Sequence, residues 1–298
     1  MPSLSIPGQQ LWTWYQQARQ QSLEAGVPLY ELDWFLQALA DLDALALRLG
    51  TFQTQPQVGV ARSLSDLDAL WQQRLNQRVP VQYLVGVAPW RKFSLTVTPD
   101  VLIPRPETEL IIDIVQAQVR AHPDLQRGHW VDLGTGSGAI ALGLAETLPQ
   151  ATIHAIDQSP AAIAIAQQNA QQNGLGDRIQ FYVGSWFDPI QGLEGQVSGC
   201  VSNPPYIPTD VVNTLQPEVV RHEPHAALDG GQDGLDCIRH LATTAPKYLR
   251  SGGLWLVELM QGQAQDVAQI LGHIGQYRHI QIHADLAGIE RFVSGDRR

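Results

Sequence analysis

Along residues 29–49 the apolar positions Leu32, Phe35, Leu39, Leu42, Ala46 and Leu49 recur at steps of three and four, the spacing of one helix face. Gly50 stands where a helix C-terminal cap is expected. A loop rich in Gln, Pro and Gly follows. Ser65, with Asp68 three residues on, then predicts a helix start. The buried face of that helix would carry Leu67, Leu70, Trp71 and Leu75. Residues from about 8 to 80 thus read as helices alone, and 1–80 is expected to form a small helical-bundle domain.

From Phe93 the texture changes. Phe93, Leu95 and Val97 alternate with polar residues as in a half-buried strand, inside a linker or hairpin expected over 81–105. A helix that buries Leu110, Ile111, Ile114, Val115 and Val119 opens the third region, 106–298. Strand and helix signals then alternate: HWVDLG, a helix through 140–148, TIHAID, a helix over 161–173, and RIQFYVG. GCVSNPPY, a helix near 235–249, GLWLVEL, a helix over 264–274, HIQIHAD and IERFVSG complete the series. Near-continuous apolar strands alternating with helices predict a mostly parallel sheet covered on both faces. Residues 286–288, between the last two strands, are too few for a parallel crossover, so those strands should form an antiparallel hairpin. No internal repeat is found.

Composition narrows the function classes. In 298 residues, 44% hydrophobic and 16% charged positions describe an ordinary soluble protein. A formal net charge of −10 counts against a duplex DNA or RNA binder, which needs a Lys/Arg surface. Cys200 and Cys237 form no CxxC, so a reducing cytoplasm is expected. The N-terminal residues show neither a basic leader nor a sustained apolar run, and no stretch approaches the roughly 18 apolar residues of a membrane span. No His/Cys/carboxylate cluster has metal-ligand spacing, so no metal is expected. None of the nine histidines has a triad context.

Candidate chemistry begins at Val131-Asp132-Leu133-Gly134-Thr135-Gly136-Ser137-Gly138-Ala139, between an apolar strand and a helix. In doubly wound sheets such a loop lies at the ligand crevice, and its glycines let a ligand touch backbone. Gly134, Gly136 and Ala139 also satisfy the loose dinucleotide pattern. Asp157, ending the next strand, suits either cofactor, because a carboxylate there accepts both ribose hydroxyls. Two features separate the readings. Asp132 would place a carboxylate near a pyrophosphate, a poor arrangement, but would suit the cationic methionyl part of S-adenosylmethionine. The terminal hairpin is the second, because an antiparallel last strand resembles the class I methyltransferase sheet rather than the classical dinucleotide fold. Trp186 and Phe187 are candidates to wall an adenine ring.

Ser202-Asn203-Pro204-Pro205-Tyr206 follows the strand over 197–201. Consecutive prolines fix φ and remove two backbone donors, leaving carbonyls facing outward. Such an element can hold an –NH₂ group: the Asn203 oxygen and the Pro204 carbonyl each accept one hydrogen, and the remaining nitrogen orbital faces the methyl donor. Tyr206 would give a flat wall for a planar acceptor. This is catalysis by orientation and preplaced dipoles.

Together the loop and Asn203-Pro204-Pro205-Tyr206 resemble the N-methyltransferases of exocyclic adenine nitrogens or glutamine amides. Further strings resemble the glutamine branch, the HemK/PrmC family of release factor glutamine methyltransferases. These are Arg78-Val79-Pro80-Val81-Gln82-Tyr83-Leu84-Val85-Gly86 and Val101-Leu102-Ile103-Pro104-Arg105-Pro106-Glu107-Thr108-Glu109. Glu223-Pro224, Ala227-Leu228, Gly230, Asp233-Gly234-Leu235, and Asp285-Leu286-Ala287-Gly288 with Arg291 continue the likeness. Met260-Gln261 departs from it, standing where the family usually has glycine after the Glu258 strand. The resemblance covers residues from about 75 onward.

The resemblance implies a class I S-adenosyl-L-methionine-dependent fold, Rossmann-like, with a mostly parallel seven-stranded sheet whose last strand is antiparallel. It implies cofactor contacts from Gly134, Thr135, Gly136, Ser137, Gly138, Asp157, Trp186 and Asn203. Asn203, Pro204, Pro205 and Tyr206 would hold the substrate, with Asn203, Pro204 and Tyr206 catalytic. The acceptor would be the Gly-Gly-Gln glutamine of class I peptide-chain release factors, methylated at N5 and recognised through the helical domain. Arg105 and Glu107 receive no role beyond an ion-paired lid. The rival readings are an adenine-N6 methyltransferase, disfavoured by the acidic balance and the absence of a target-recognition domain, and a non-catalytic module, disfavoured by the intact motifs.

Overall fold

The computed structural model describes residues 4–298, which divide into two compact units. The first unit runs to Gly86 and includes the short helix Pro217–His222; the second holds Val87–Gln216 and Glu223–Arg298. Among the described residues no helix is long and apolar enough to cross a membrane.

The first unit contains β1 (Leu4–Ile6), α1 (Gly8–Glu24), α2 (Leu29–Leu39), α3 (Ala44–Leu49), β2 (Val58–Val60), α4 (Leu64–Gln77) and α5 (Val81–Val85). Leu11, Tyr15, Leu32, Phe35, Phe52, Leu67 and Trp71 form its core. It departs from the helices-only reading in three places. β1 and β2 pair antiparallel, and strands of three residues are too short to display an alternating pattern. Residues 29–49 break into two helices. Ala40 is extended and bridges to Val60, and the Asp43 carboxylate accepts from Ala46 N at 2.7 Å to cap a new helix. Leu42 stays buried, but Leu49 ends 63% exposed. Finally, the cap of α4 is Ser63 rather than Ser65, its hydroxyl accepting from Asp66 N at 3.2 Å.

Arg74 on α4 is buried, which is costly for a guanidinium unless it is paired. It forms a two-pronged bond to Glu31 at 2.6 and 2.9 Å, and its third nitrogen lies 2.9 Å from Glu218 on the helix Pro217–His222.

The segment expected as a linker, 81–105, is shared out. α5 belongs to the first unit, while β3 (Val87–Trp90) and β4 (Phe93–Thr96) form a hairpin whose Trp90, Phe93 and Leu95 enter the core of the second.

The second unit continues with α6 (Leu110–Ala121), β5 (Arg127–Leu133), α7 (Ala139–Thr147), β6 (Gln150–Asp157), α8 (Pro160–Gln172), β7 (Ile179–Val183) and β8 (Val197–Ser202). After the short helix α9 (Thr209–Val212), and beyond α10 (Pro217–His222), which belongs to the first unit, come α11 (Asp236–Tyr248), β9 (Leu249–Glu258), α12 (Ala264–Ile274), β10 (Tyr277–Ala284) and β11 (Glu290–Arg297). Seven strands pair in the order β10-β11-β9-β8-β5-β6-β7. Those from β5 to β9 run parallel, and β11 is antiparallel to both β9 and β10, as the short final connection requires. Neighbouring strand residues face opposite sides. Trp130 accordingly joins the core under α6 and α7, and Val131 the core under α11 and α12.

His154 on β6 is buried between His129 and Tyr182, its Nε2 2.9 Å from His129 Nδ1 and its Nδ1 3.2 Å from the Tyr182 hydroxyl. Burial, reinforced by His129, pulls its pKa down to about 4. An unfolded histidine takes up its proton near pH 6.5. The residue's contribution to stability is therefore whole above that pH and is lost as pH falls towards 4. In ¹⁵N-histidine spectra its ring should stay neutral from pH 8 to about 5. A midpoint near 6.5 would contradict the packing described.

Candidate active site

β5 and β8 are hydrogen-bonded neighbours, with Leu133 opposite Ser202. The chain continues from β5 to β6 on one side and from β8 to β9 on the other. Such a reversal leaves a crevice at the carboxyl ends of the pair. The Ser202 hydroxyl donates to the Leu133 carbonyl at 2.6 Å, fastening the two ends together. The glycine loop 134–138 and residues 203–206 both emerge here.

The loop is shaped from beneath. Gly134 N and Thr135 N both donate to Ile156 O at 2.9 Å, which bends the chain over the end of β6. Gly138 has φ +85°, and a Cβ there would stand 3.1 Å from that of Ala166 on α8. Gly136 has φ +53° with open space where a Cβ would be, so its backbone faces the crevice. Asp132 is fully buried. One oxygen accepts from the Thr135 hydroxyl at 2.6 Å and from Ala141 N at 3.0 Å, tying loop to helix. Its other oxygen has no partner among the described residues, and burial raises the carboxyl to about 7. The sequence reading set this carboxylate beside a cationic ligand. The structure turns it into the loop.

A cavity of about 340 Å³ opens in front, within the roughly 300–1,000 Å³ usual for small-molecule sites. Gly134, Gly136, Asp157, Trp186, Asn203 and Pro205 line it. Thr135, Ser137 and Gly138 do not; the Thr135 hydroxyl holds Asp132, and the Ser137 carbonyl accepts from Asn169 at 2.8 Å. Asp157 accepts Gly136 N on one oxygen and Ser159 N on the other, each at 2.9 Å. A carboxylate has roughly four acceptor positions, so one remains on each oxygen, matching two vicinal hydroxyls. Burial raises its pKa, and the backbone N–H groups of Ser159, Gly136 and Gln158 oppose the rise.

The adjacent aromatics part ways. Phe187 is buried and stacks on Tyr248 at 4.6 Å. Trp186 has φ +47°, a left-handed conformation costing a non-glycine residue roughly 1–2 kcal/mol, and its ring faces the cavity beside Gly134. In this conformation the indole packs partly buried against the core and also lines the cavity.

Asn203 Nδ2 donates to Thr108 Oγ1 at 3.2 Å. Pro204 is buried, and neither it nor Tyr206 lines the cavity. The Tyr206 hydroxyl donates to Glu258 Oε1 at 3.2 Å, and its carbonyl accepts from Gln263 Nε2 at 3.0 Å. A Cβ on Gly230 would lie 2.8 Å from Tyr206 Cα, so that glycine lets two backbones touch. Arg105 is paired with the buried Glu223 at 2.6 Å, and Asp100, Val101 and Leu102 from the preceding segment line the cavity. The sequence reading missed Thr108, Glu258 and Gln263 as site residues. Thr108 precedes Asn203 by 95 positions, and no spacing rule connects them. Among the described residues no group of three or more His, Cys, Asp and Glu could hold a metal ion.

Residues 126–204 match a family model described as a methyltransferase domain. The hMettl16 catalytic domain, solved in complex with MAT2A 3′UTR hairpin 6, superposes with a TM-score of 0.55 at 15% identity, covering 90% of this chain and 91% of that one. At that identity the likeness concerns the fold. A release factor glutamine methyltransferase of Synechocystis sp. is 53% identical over 290 residues, 97% of each chain. Those of Thermosynechococcus vestitus and Gloeobacter violaceus are 52% and 41% identical, covering 89% and 94% of this chain and 90% and 94% of theirs. Sheet order, antiparallel last strand and crevice define a class I S-adenosylmethionine-dependent methyltransferase. Within that class, the chain belongs to the release factor glutamine methyltransferase family.

Replacing Asp157 by alanine removes two acceptor positions from the cavity and frees Gly136 N. Hydrogen bonds to charged groups contribute about 1.5–3 kcal/mol each. Calorimetry should therefore show S-adenosylmethionine bound at least about tenfold more weakly. Equal affinity in a folded variant would remove Asp157 from the site.

Proposed function

We propose that this protein methylates the side-chain amide nitrogen, N5, of the glutamine in the Gly-Gly-Gln motif of class I peptide-chain release factors, and so serves translation termination. The observation that carries this reading is the meeting of glycine loop, Asp157, Trp186 and Asn203 around one cavity at the strand-order reversal. Membership of the family and a net charge of −10 support a protein acceptor over a nucleic acid. Unpaired Cys200 and Cys237 suit a cytoplasmic setting.

The cavity suits S-adenosyl-L-methionine. Asp157 has acceptors for two ribose hydroxyls, Trp186 a flat face for the adenine, and Gly134 and Gly136 bare backbone for the methionyl part. When bound, this cofactor supplies a methyl group on a cationic sulfur and leaves as S-adenosyl-L-homocysteine. Asn203 Oδ1 and the Pro204 carbonyl accept the two hydrogens of the glutamine amide. They orient the nitrogen and draw electron density towards it. As positive charge grows on nitrogen those dipoles bind it more strongly, which lowers the barrier. The N-methylated cation then sheds a proton without a dedicated base. Tyr206, held by Glu258 and Gln263, supports the peptide around the glutamine.

The first unit has its own core and no cofactor motif, and we assign it recognition of the release factor. A chain starting at Val87 should bind the cofactor yet lose kcat/KM on intact factor far more than on a short Gly-Gly-Gln peptide. Equal losses on both would remove that assignment.

Asn203→Ala should lower single-turnover kcat by roughly 10²–10³-fold, as loss of one preorganised partner does. Asn203→Asp keeps an acceptor and should retain more activity than alanine. Mass analysis of the release factor reads both. Near wild-type turnover in the alanine variant would end the mechanism.

A further inference from the structure

We propose that Thr108 and Glu258 are positioning residues, and that the Glu258 carboxylate, acting through Thr108, dictates which end of the Asn203 amide faces the acceptor. This rests on the reading of Asn203 as the group that holds the substrate amide. Glu258 closes β9 and Thr108 sits in the 3-10 turn Glu107–Glu109; both are buried. The carboxylate accepts the Tyr206 hydroxyl on Oε1 at 3.2 Å, and the neighbouring Thr108 hydroxyl holds its pKa down as a hydrogen-bond donor does. Thr108 Oγ1 in turn lies 3.2 Å from Asn203 Nδ2.

The polarity of this chain is forced. An ionised carboxylate can only accept, so the single hydroxyl hydrogen of Thr108 goes to Glu258. Thr108 Oγ1 is then left as an acceptor, and the Asn203 group facing it must be the –NH₂. Oδ1 is thereby turned towards the cavity that Asn203 lines. That orientation presents an acceptor to a substrate –NH₂; the opposite one presents hydrogens to hydrogens. Oxygen and nitrogen of an amide have nearly the same shape, so packing alone cannot select between them.

A neutral Glu258 permits the reverse chain. The carboxylic acid donates to Thr108, Thr108 donates to Asn203, and the Asn203 –NH₂ swings to the acceptor side. Groups facing Glu258 come from every neighbouring element: Tyr206 after β8, Thr108 and Glu107 from the turn, and Arg291 from β11, with Arg105 near Tyr206. Burial raises the carboxyl to about 7; Thr108, Tyr206 and Arg291 oppose that rise and Glu107 adds to it. Glu258 Oε2 has no partner among the described residues, so the ionised form is incompletely satisfied and protonation is within reach.

Single-turnover rates on a Gly-Gly-Gln-containing release factor, measured across pH, test the chain. The wild-type rate should rise with pH to a plateau, with a midpoint near the value of about 7 for Glu258. Glu258→Gln should be roughly 10- to 100-fold slower and lose the rise, because misorientation of one group costs on that order. Thr108→Val should slow comparably, whereas Thr108→Ser should keep most of the rate that valine loses. S-adenosylmethionine affinity should stay unchanged in all three. A Glu258→Gln enzyme with the wild-type pH profile, or Thr108→Val as fast as Thr108→Ser, would overturn the proposal. A second measurement needs no acceptor. The Asn203 side-chain amide resonances, assigned by their loss in Asn203→Asp, should shift with the Glu258 midpoint in wild type and stand still in Glu258→Gln. If the wild type methylates no glutamine, the functional reading fails. An Asn203 amide insensitive to both pH and Glu258 overturns the chain itself.

Discussion

A parallel strand pair whose onward connections depart on opposite sides cannot cover its own carboxyl ends, and β5 and β8 are such a pair. Everything chemical in the second unit follows from that bare edge. The loop after β5 supplies exposed backbone, the loop after β8 supplies Asn203, and β6 brings Asp157 alongside. Had both chains turned the same way, a helix would lie where the cavity is.

An open edge between two loops is useful only if the loops hold still. Buried polar groups keep them so. Asp132 ties the glycine loop to α7, Ser202 fastens β8 to β5, Glu258 grips Tyr206, and Gln263 holds its carbonyl. Two of these carboxylates, Asp132 and Glu258, each leave one oxygen without a partner among the described residues. Such oxygens cost stability in a buried setting. The strained backbone of Trp186 adds to that cost, so the neighbourhood of the cavity trades stability for geometry.

The sequence made the second unit legible because its signals are local. A strand ending in alternating glycines, an acid closing the next strand and a paired proline after a third each sit within a few residues, and their order along the chain implies where they meet. Two things were opaque. In the first unit the helical spacing runs unbroken from Leu32 to Leu42, while the break at Ala40 is imposed by pairing with Val60, a contact remote in sequence. In the site, Thr108 and Glu258 were hidden because their meaning arises only when a turn before α6, the end of β9 and Asn203 converge. Asp132 was misread in direction: its position near the glycines was legible, its rotation into the loop was not. Trp186 and Phe187, adjacent and alike on paper, part: Phe187 stacks on Tyr248 in the core, while Trp186, with its left-handed backbone, also lines the cavity.

The place of β11 bears on how this molecule is made. It lies between β9 and β10, although it follows both in the chain. A ribosome delivers residues in order, so β9 and β10 emerge with a gap between them that neither can close. Glu258, at the end of β9, pairs across to Phe292, and Leu259 N donates to the Arg291 carbonyl at 2.9 Å. The strand end that carries Glu258 is therefore sealed by residues synthesised some thirty positions after it. During elongation the nascent sheet exposes two raw strand edges and must avoid pairing them with each other or with a neighbour. Completion is set by late, non-local insertion rather than by sequential addition.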